Sequence, residues 1–227
     1  MQGTLSVVAT PIGNLGDVTL RSLEALKQAD AIACEDTRVT AKLLAKYDIK
    51  KPLLVYHSQS GRLAGTRILS LLGEGKHIAL VTDAGTPGIS DPGSELVSLV
   101  RERLNDTVRI EAIPGPSALT AALSIAGVPT HEFTFLGFLP HKKGRQTLMK
   151  EIAAADRTYV FYESPHRILK ALGELSENLE EDRKVVVLRE LTKLYESVKS
   201  GTAPELHDYF KSHPKEVRGE FVVIVSR

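Results

Sequence analysis

The segment "VTDAGTPGISDPG" (81–93) follows the apolar run "HIALV" directly and resists regular structure. Gly85, Gly88 and Gly93 permit backbone conformations closed to other residues and let a ligand approach the main chain. Pro87 and Pro92 stiffen the same path. Its tail reads as a helix start, with Asp91 at the cap and Pro92 in the first turn, which leaves Asp83 to Ser90 for another purpose. Two more glycine/proline turns follow apolar runs, "ATPIGNLGD" (9–17) and "IPGPSALTAA" (113–122). The first stands where a dinucleotide-binding fold carries its glycine fingerprint, with Glu35 roughly 20 residues on, at the place of a ribose-binding acid. The match is incomplete. Only Gly13 and Gly16 are present, Pro11 removes an N–H that a phosphate would need, and a tight strand-to-helix turn explains both glycines.

These turns need elements to hold them. Apolar, β-branched runs at 5–10, 31–35, 53–56, 77–82 and 108–113 alternate with segments of three- and four-residue apolar spacing. That βαβα rhythm predicts a mostly parallel sheet covered by helices, with the three turns at its strand ends. The rhythm changes at "PGPSALTAALSIAGVP" (114–129), which places a domain boundary there and divides the chain into 1–115 and 116–227. The second half carries strands at 133–138, 157–163, 184–190, 195–201 and 219–227, the last three expected to pair antiparallel, and helices at 145–155, 166–179 and 203–211. His166-Arg167 is expected to begin the second of these helices, and "SENLEEDRK" (176–184) to be a solvated helix end and loop.

The 227 residues carry 29 Lys and Arg against 28 Asp and Glu, so net charge alone selects no partner and a nucleic-acid case has to come from local patches. One cysteine, Cys34, excludes a disulfide framework, and no zinc-type spacing is present, which points to a cytoplasmic protein without a metal. No run of about 18 apolar residues suggests a membrane span, and the N-terminus does not read as a signal peptide.

"TPIGNLGD", "CEDTR" (34–38), "TDAGTPGISDPG", "PGPSA", "GFLP" (137–140), "FYESPHRI" (161–168) and "RELTKLYE" (189–196) together resemble the 16S ribosomal RNA methyltransferase group of the tetrapyrrole methylase superfamily. The resemblance covers essentially the whole chain. It implies a two-domain, non-Rossmann α/β fold with a mostly parallel N-terminal sheet and a mixed C-terminal sheet, and a homodimer. It also implies S-adenosyl-L-methionine as methyl donor in a cleft between the domains, and methylation of the ribose 2′-hydroxyl of a cytidine in the decoding centre. The donor would be held by Pro11, Ile12, Asp83, Ala84, Gly85, Thr86, Ile89, Ser90, Ser117 and Ala118, with Tyr162 and Leu188 closing over its adenine. Many relatives continue past "FVVIVSR" with a small further segment.

A ribose hydroxyl is a poor nucleophile and calls for a proton acceptor. Glu35 or His57 is the expected acceptor, with Arg38 on a phosphate; each stands at the carboxyl end of an expected strand. The loop "HKKGRQTLMK" (141–150) supplies Lys142, Lys143 and Arg145 without an acid, which suits 16S rRNA phosphates, presented within the small ribosomal subunit. Two other readings stay open: a superfamily methyltransferase acting on a tetrapyrrole or other small substrate, and a non-catalytic nucleotide-binding module.

Overall fold

A computed structural model describes residues 2–57, 61–180 and 182–227, without the side chains of 61–63. Glu181, within the expected solvated loop, lies outside the described residues. The chain divides into two compact units, Met1–Ser117 and Ala118–Arg227.

The first unit is a five-stranded parallel sheet of β1 (Gly3–Val8), β2 (Ala31–Cys34), β3 (Leu53–Val55), β4 (His77–Leu80) and β5 (Val108–Ile113), in the order β3-β2-β4-β1-β5. Helices α1 (Leu20–Gln28) and α2 (Thr37–Lys46) cover one face, where Leu26, Leu43 and Leu44 pack with Val8, Ile32 and Ala79. Helices α3 (Gly61–Gly73) and α4 (Gly93–Leu104) cover the other, where Ile68, Leu72, Leu96 and Val100 pack with Leu5, Ile78 and Leu80. Apolar residues on both faces explain why these strands read as continuous apolar runs. A dinucleotide-binding fold has the order 3-2-1-4-5; here β4 takes the central place and β1 is displaced, so "ATPIGNLGD" does not stand where a fingerprint would work. Its Asn14 side chain instead accepts a hydrogen bond from the Gly16 amide at 3.0 Å, making a local turn.

The second unit opens with α5 (Ala118–Ile125). Its sheet comprises β6 (Phe133–Phe138), β7 (Thr158–Glu163), β8 (Val185–Arg189), β9 (Ser197–Gly201) and β10 (Phe221–Val225), in the order β6-β7-β10-β8-β9. Only β6 and β7 are parallel; β10 inserts between β7 and β8 and pairs antiparallel with both, and β8 pairs antiparallel with β9. Helices α6 (Arg145–Ala154), α7 (Ile168–Asn178) and α8 (Ala203–Ser212) bury Met149, Ile152, Leu172, Leu175, Leu206 and Phe210 against Phe161, Val187 and Val223. Thr202 caps α8 in a reciprocal box with Glu205. The α7 start differs from expectation. Ser164 to Arg167 form a turn, with the Arg167 and Ile168 amides donating to the Ser164 carbonyl at 3.0 Å, so the helix proper begins at Ile168.

Candidate active site

Strand β4 decides where a site forms in the first unit. The helix after β4 lies on the opposite face from the helices after its neighbours β1 and β2. Connections that part to opposite faces open a crevice at the carboxyl ends of the strands. The loop that fills this position is 81–92.

Its conformation is fixed from several sides. Thr10 and Gly85 form an antiparallel bridge, N to O 2.9 Å one way and 3.1 Å the other. The Thr10 hydroxyl donates to the Thr82 carbonyl at 3.1 Å, and the Thr86 hydroxyl to the Pro116 carbonyl at 3.1 Å. Gly85 and Gly88 have φ of 87° and 89°, and Ser90, not a glycine, has φ of 67°. A left-handed residue with a side chain carries strain that surrounding structure must hold, a recurrent feature of functional loops. Asp91 behaves differently from expectation: the cap of α4 is Pro92, without a side-chain cap bond. The Asp91 carboxylate accepts from the Gly88 and Gly93 amides, both at 2.7 Å, and so ties the loop to the helix start. A Cβ at Gly93 would lie 2.7 Å from the Gly88 nitrogen, so only glycine allows this closure.

Among the expected donor-binding residues, Pro11, Ile12 and Gly85 are buried, Thr86, Ser117 and Ala118 are half-buried, and Asp83, Ala84, Ile89 and Ser90 are exposed. These positions thus offer main chain, the hydroxyls of Thr86, Ser90 and Ser117, and the apolar Ile89 side chain. Such a set fits an amino acid and nucleoside conjugate, which needs main-chain partners and a flat apolar support.

Residues just past β2 and just past β4 meet here. The half-buried Glu35 accepts a short hydrogen bond from the Thr82 hydroxyl. The Asp36 amide donates to Asp83 Oδ1 at 3.1 Å. Arg38 does not join Glu35. It turns back on Asp36, with Nη2 to Oδ2 at 2.5 Å and Nε to Oδ1 at 3.0 Å, while Asp36 caps α2 by accepting from the Arg38 amide at 2.8 Å. The Arg38 side chain and then its amide hold the Asp36 carboxyl well below its ordinary range, at about 2. His57 is exposed just beyond β3, at the edge of the sheet. Burial pushes the Cys34 thiol up, so this residue is a packed thiol and not a nucleophile.

In the second unit the expected residues separate sharply. Leu188 is 0% exposed within β8 and offers no side-chain surface to a ligand, which corrects the expected contact. Tyr162 is half-buried, its phenol pushed up by burial, and packs edge-on against Phe135 and Phe138 with centroids 4.9 and 5.6 Å away. Phe138 is 57% exposed. The expected strand 133–138 does end on this residue, but not in a regular ladder. Gly137 instead adopts φ of 62° within an irregularity of the β6–β7 pairing between Phe135 and Phe138. Such bulges re-aim side chains.

Lys142 and Lys143 are exposed, but Arg145 is not. Its side chain is 3% exposed, with Nε donating to Glu174 at 2.6 Å and Nη1 donating to the Pro140 carbonyl and lying 3.6 Å from Glu163. Arg167 completes the cluster on Glu163 at 3.0 Å. Arg145 therefore belongs to a buried ionic cluster, not to a surface cation patch. No described helix is long and apolar enough to cross a membrane.

The family model of the tetrapyrrole (corrin/porphyrin) methylases matches residues 4–207. The chain is 44% identical over 224 residues to the ribosomal RNA small subunit methyltransferase I of Thermotoga maritima, covering 99% of this chain and 98% of that one. It is 45% identical over 225 residues to the protein of that name from Escherichia coli O157:H7, covering 99% and 78%. Among solved structures, the methyltransferase CobJ superposes with a TM-score of 0.70 at 22% identity, covering 99% of this chain and 94% of that chain. A uroporphyrin-III C-methyl transferase from Thermus thermophilus, complexed with S-adenyl homocysteine, superposes with a TM-score of 0.66 at 20% identity, covering 99% and 98%. Strand order, switch-point loop and full-length similarity agree: this chain belongs to the tetrapyrrole methylase family.

Proposed function

We propose that this protein transfers a methyl group from S-adenosyl-L-methionine to the ribose 2′-hydroxyl of a cytidine in 16S ribosomal RNA. The observation that carries the reading is its similarity to small-subunit rRNA methyltransferases along nearly its whole length, 98% of the Thermotoga relative included. The rigid strand-end loop and the adjacent carboxylate support it.

When bound, the donor supplies an electrophilic methyl group. The chain's task is to align the acceptor and accept its proton. Pro11, Ile12, the 83–90 loop, Ser117 and Ala118 hold the donor, and their rigidity serves the orientation that contributes about 7–11 kcal/mol in well-aligned reactions. The Tyr162–Phe138 surface suits a flat heterocycle. Glu35 accepts the hydroxyl proton. Thr82 occupies Oε1, which fixes the carboxylate while leaving Oε2 for the substrate. His57 is the second acceptor to test. Lys142 and Lys143 meet RNA phosphates. The protein acts in the cytoplasm as a homodimer on the small ribosomal subunit.

A tetrapyrrole or other small substrate is the second reading, favoured by the family model and the solved relatives. Tritiated methyl transfer to small subunits, naked 16S rRNA and uroporphyrinogen separates the two, with nuclease mapping of the labelled RNA. Label at one cytidine ribose is expected. Label in the tetrapyrrole alone reverses the substrate, and calorimetry showing no S-adenosylmethionine binding removes the enzyme reading altogether.

A further inference from the structure

Phe138 ends the edge strand β6 with 57% of its surface exposed. One exposed apolar side chain is ordinary on a protein, but this one is held from both directions along the chain. Before it, Gly137 at φ of 62° breaks the β6–β7 register and re-aims the ring, which meets Tyr162 edge to face at 5.6 Å. After it, Leu139 is 1% exposed, and the Leu139 and Pro140 carbonyls accept from Arg167 and Arg145, the latter at 3.1 Å. Both guanidiniums are in turn held by Glu163. The buried ionic cluster thus anchors the backbone that carries the ring, and a side chain ordered in advance loses less freedom on binding.

The surroundings select what would cover such a ring. Residues 133–150 contain no Asp or Glu, and Lys142 and Lys143 are exposed directly beyond the ring. The other large exposed apolar pair of this unit, Leu194 and Tyr195, stands among acids instead: Glu196 is its exposed neighbour, and Glu190 and Glu220 flank Lys193 at 2.8 Å each. An anionic ligand is therefore drawn to Phe138 and not to Tyr195. A ring beside cations is the means by which unpaired nucleic acid is held, bases stacking on the aromatic face while phosphates meet the charges.

We propose that Phe138 is a stacking platform for an unpaired base of the RNA substrate, with Lys142 and Lys143 on the neighbouring phosphates. This rests on the rRNA reading of the substrate. Tyr162 supports the platform from within the unit. Because every base has a π-face, the platform fixes where the strand lies and not which sequence it has.

Phe138→Ala should raise the KM for small ribosomal subunits about tenfold, with kcat and S-adenosylmethionine affinity unchanged. The slope of log K against log salt should also stay the same, since stacking releases no counterions. Phe138→Tyr keeps the ring and should keep the KM. Phe133→Ala removes an exposed phenylalanine from the opposite end of β6 and should leave KM alone. The chain has no tryptophan, so Phe138→Trp creates a single fluorescent reporter at the platform. Oligocytidylate should quench it saturably and S-adenosylmethionine should not. An unchanged KM in Phe138→Ala, or a reporter indifferent to oligocytidylate, overturns the platform. Weaker S-adenosylmethionine binding in Phe138→Ala gives the ring to the donor and overturns it equally. If the unmodified protein transfers no methyl group to small subunits, the rRNA reading fails, and the quenching experiment still decides the platform separately.

Discussion

Glu35 and Glu163 each close an apolar strand, one in each unit, and they are held in opposite ways. Glu163 is buried, with Oε2 facing Arg145 and Arg167 and Oε1 accepting from the Ser164 amide at 2.8 Å. Every oxygen is engaged by charge or main chain, and the group locks β7 to α6 and α7. Among the described residues Glu35 accepts from the neutral Thr82 hydroxyl, and it remains half-buried at the crevice. A carboxylate between two guanidiniums is tied to its architecture, whereas one steadied by a hydroxyl keeps a lone pair for a substrate. The first unit sets its carboxylate beside a loop with strained backbone; the second buries its own in an ionic cluster.

The largest expected effect breaks the Glu163 side of this contrast. Glu163→Ala leaves two guanidiniums without their shared acceptor and should destabilise the second unit by about 3–5 kcal/mol, read by urea denaturation. A loss below about 1 kcal/mol would mean that water already reaches the cluster. Glu35→Gln should do the reverse: kcat falls at least about 100-fold, about 2.7 kcal/mol of barrier, while stability changes by under about 1 kcal/mol. Retained activity with a quiet Glu35→Gln would move the proton to His57, and His57→Gln then becomes the decisive variant.

The sequence made the alternating elements of the first unit legible because strands buried on both faces are uniformly apolar and the intervening helices are not. It could not supply the strand order, since the pairing of β4 with both β1 and β2 depends on long-range contacts. "DPG" satisfied the rules for a helix cap, yet Asp91 staples Gly88 to Gly93; both uses demand the same residue types. Arg145 misled for a related reason. Its own loop holds no acid, and the carboxylates that bury it, Glu163 and Glu174, stand on later elements. The positions of Glu35 and the 83–90 loop were readable because they follow strand ends directly, and chain order alone puts them on one edge.

A smaller effect sharpens the claim about backbone strain. Gly85 and Gly127 both have positive φ, 87° and 63°, one in each unit. An alanine at either should cost about 1–2 kcal/mol for the left-handed conformation. Nothing lies within 4 Å of a Cβ at Gly127, whereas at Gly85 it would touch Ile12 at 3.4 Å beside the bridge to Thr10. Gly85→Ala should therefore also weaken S-adenosylmethionine binding in calorimetry, and Gly127→Ala should not. Equal affinities in the two variants would detach the loop from donor binding.

The smallest effect concerns Asp36 and Arg38, which lie next to Glu35 in sequence but not in role. The Asp36 carboxyl is lowered from 3.8 to about 2, first by the Arg38 side chain and then by its amide. Because the folded value is depressed, whatever stability it contributes is present above about pH 4 and disappears as the pH falls through about 2. The pair is exposed, so added salt weakens it. A carboxyl-carbon titration should place Asp36 near 2, and Arg38→Gln should return it toward 3.8. Methyl transfer lies outside that window, and its pH profile from about 5 to 9 should be unchanged by Arg38→Gln if Arg38 only braces the start of α2. A fall in rRNA affinity with a shallower salt slope would instead show that Arg38 leaves Asp36 for a phosphate, and the first unit would then share in RNA binding as well as in chemistry.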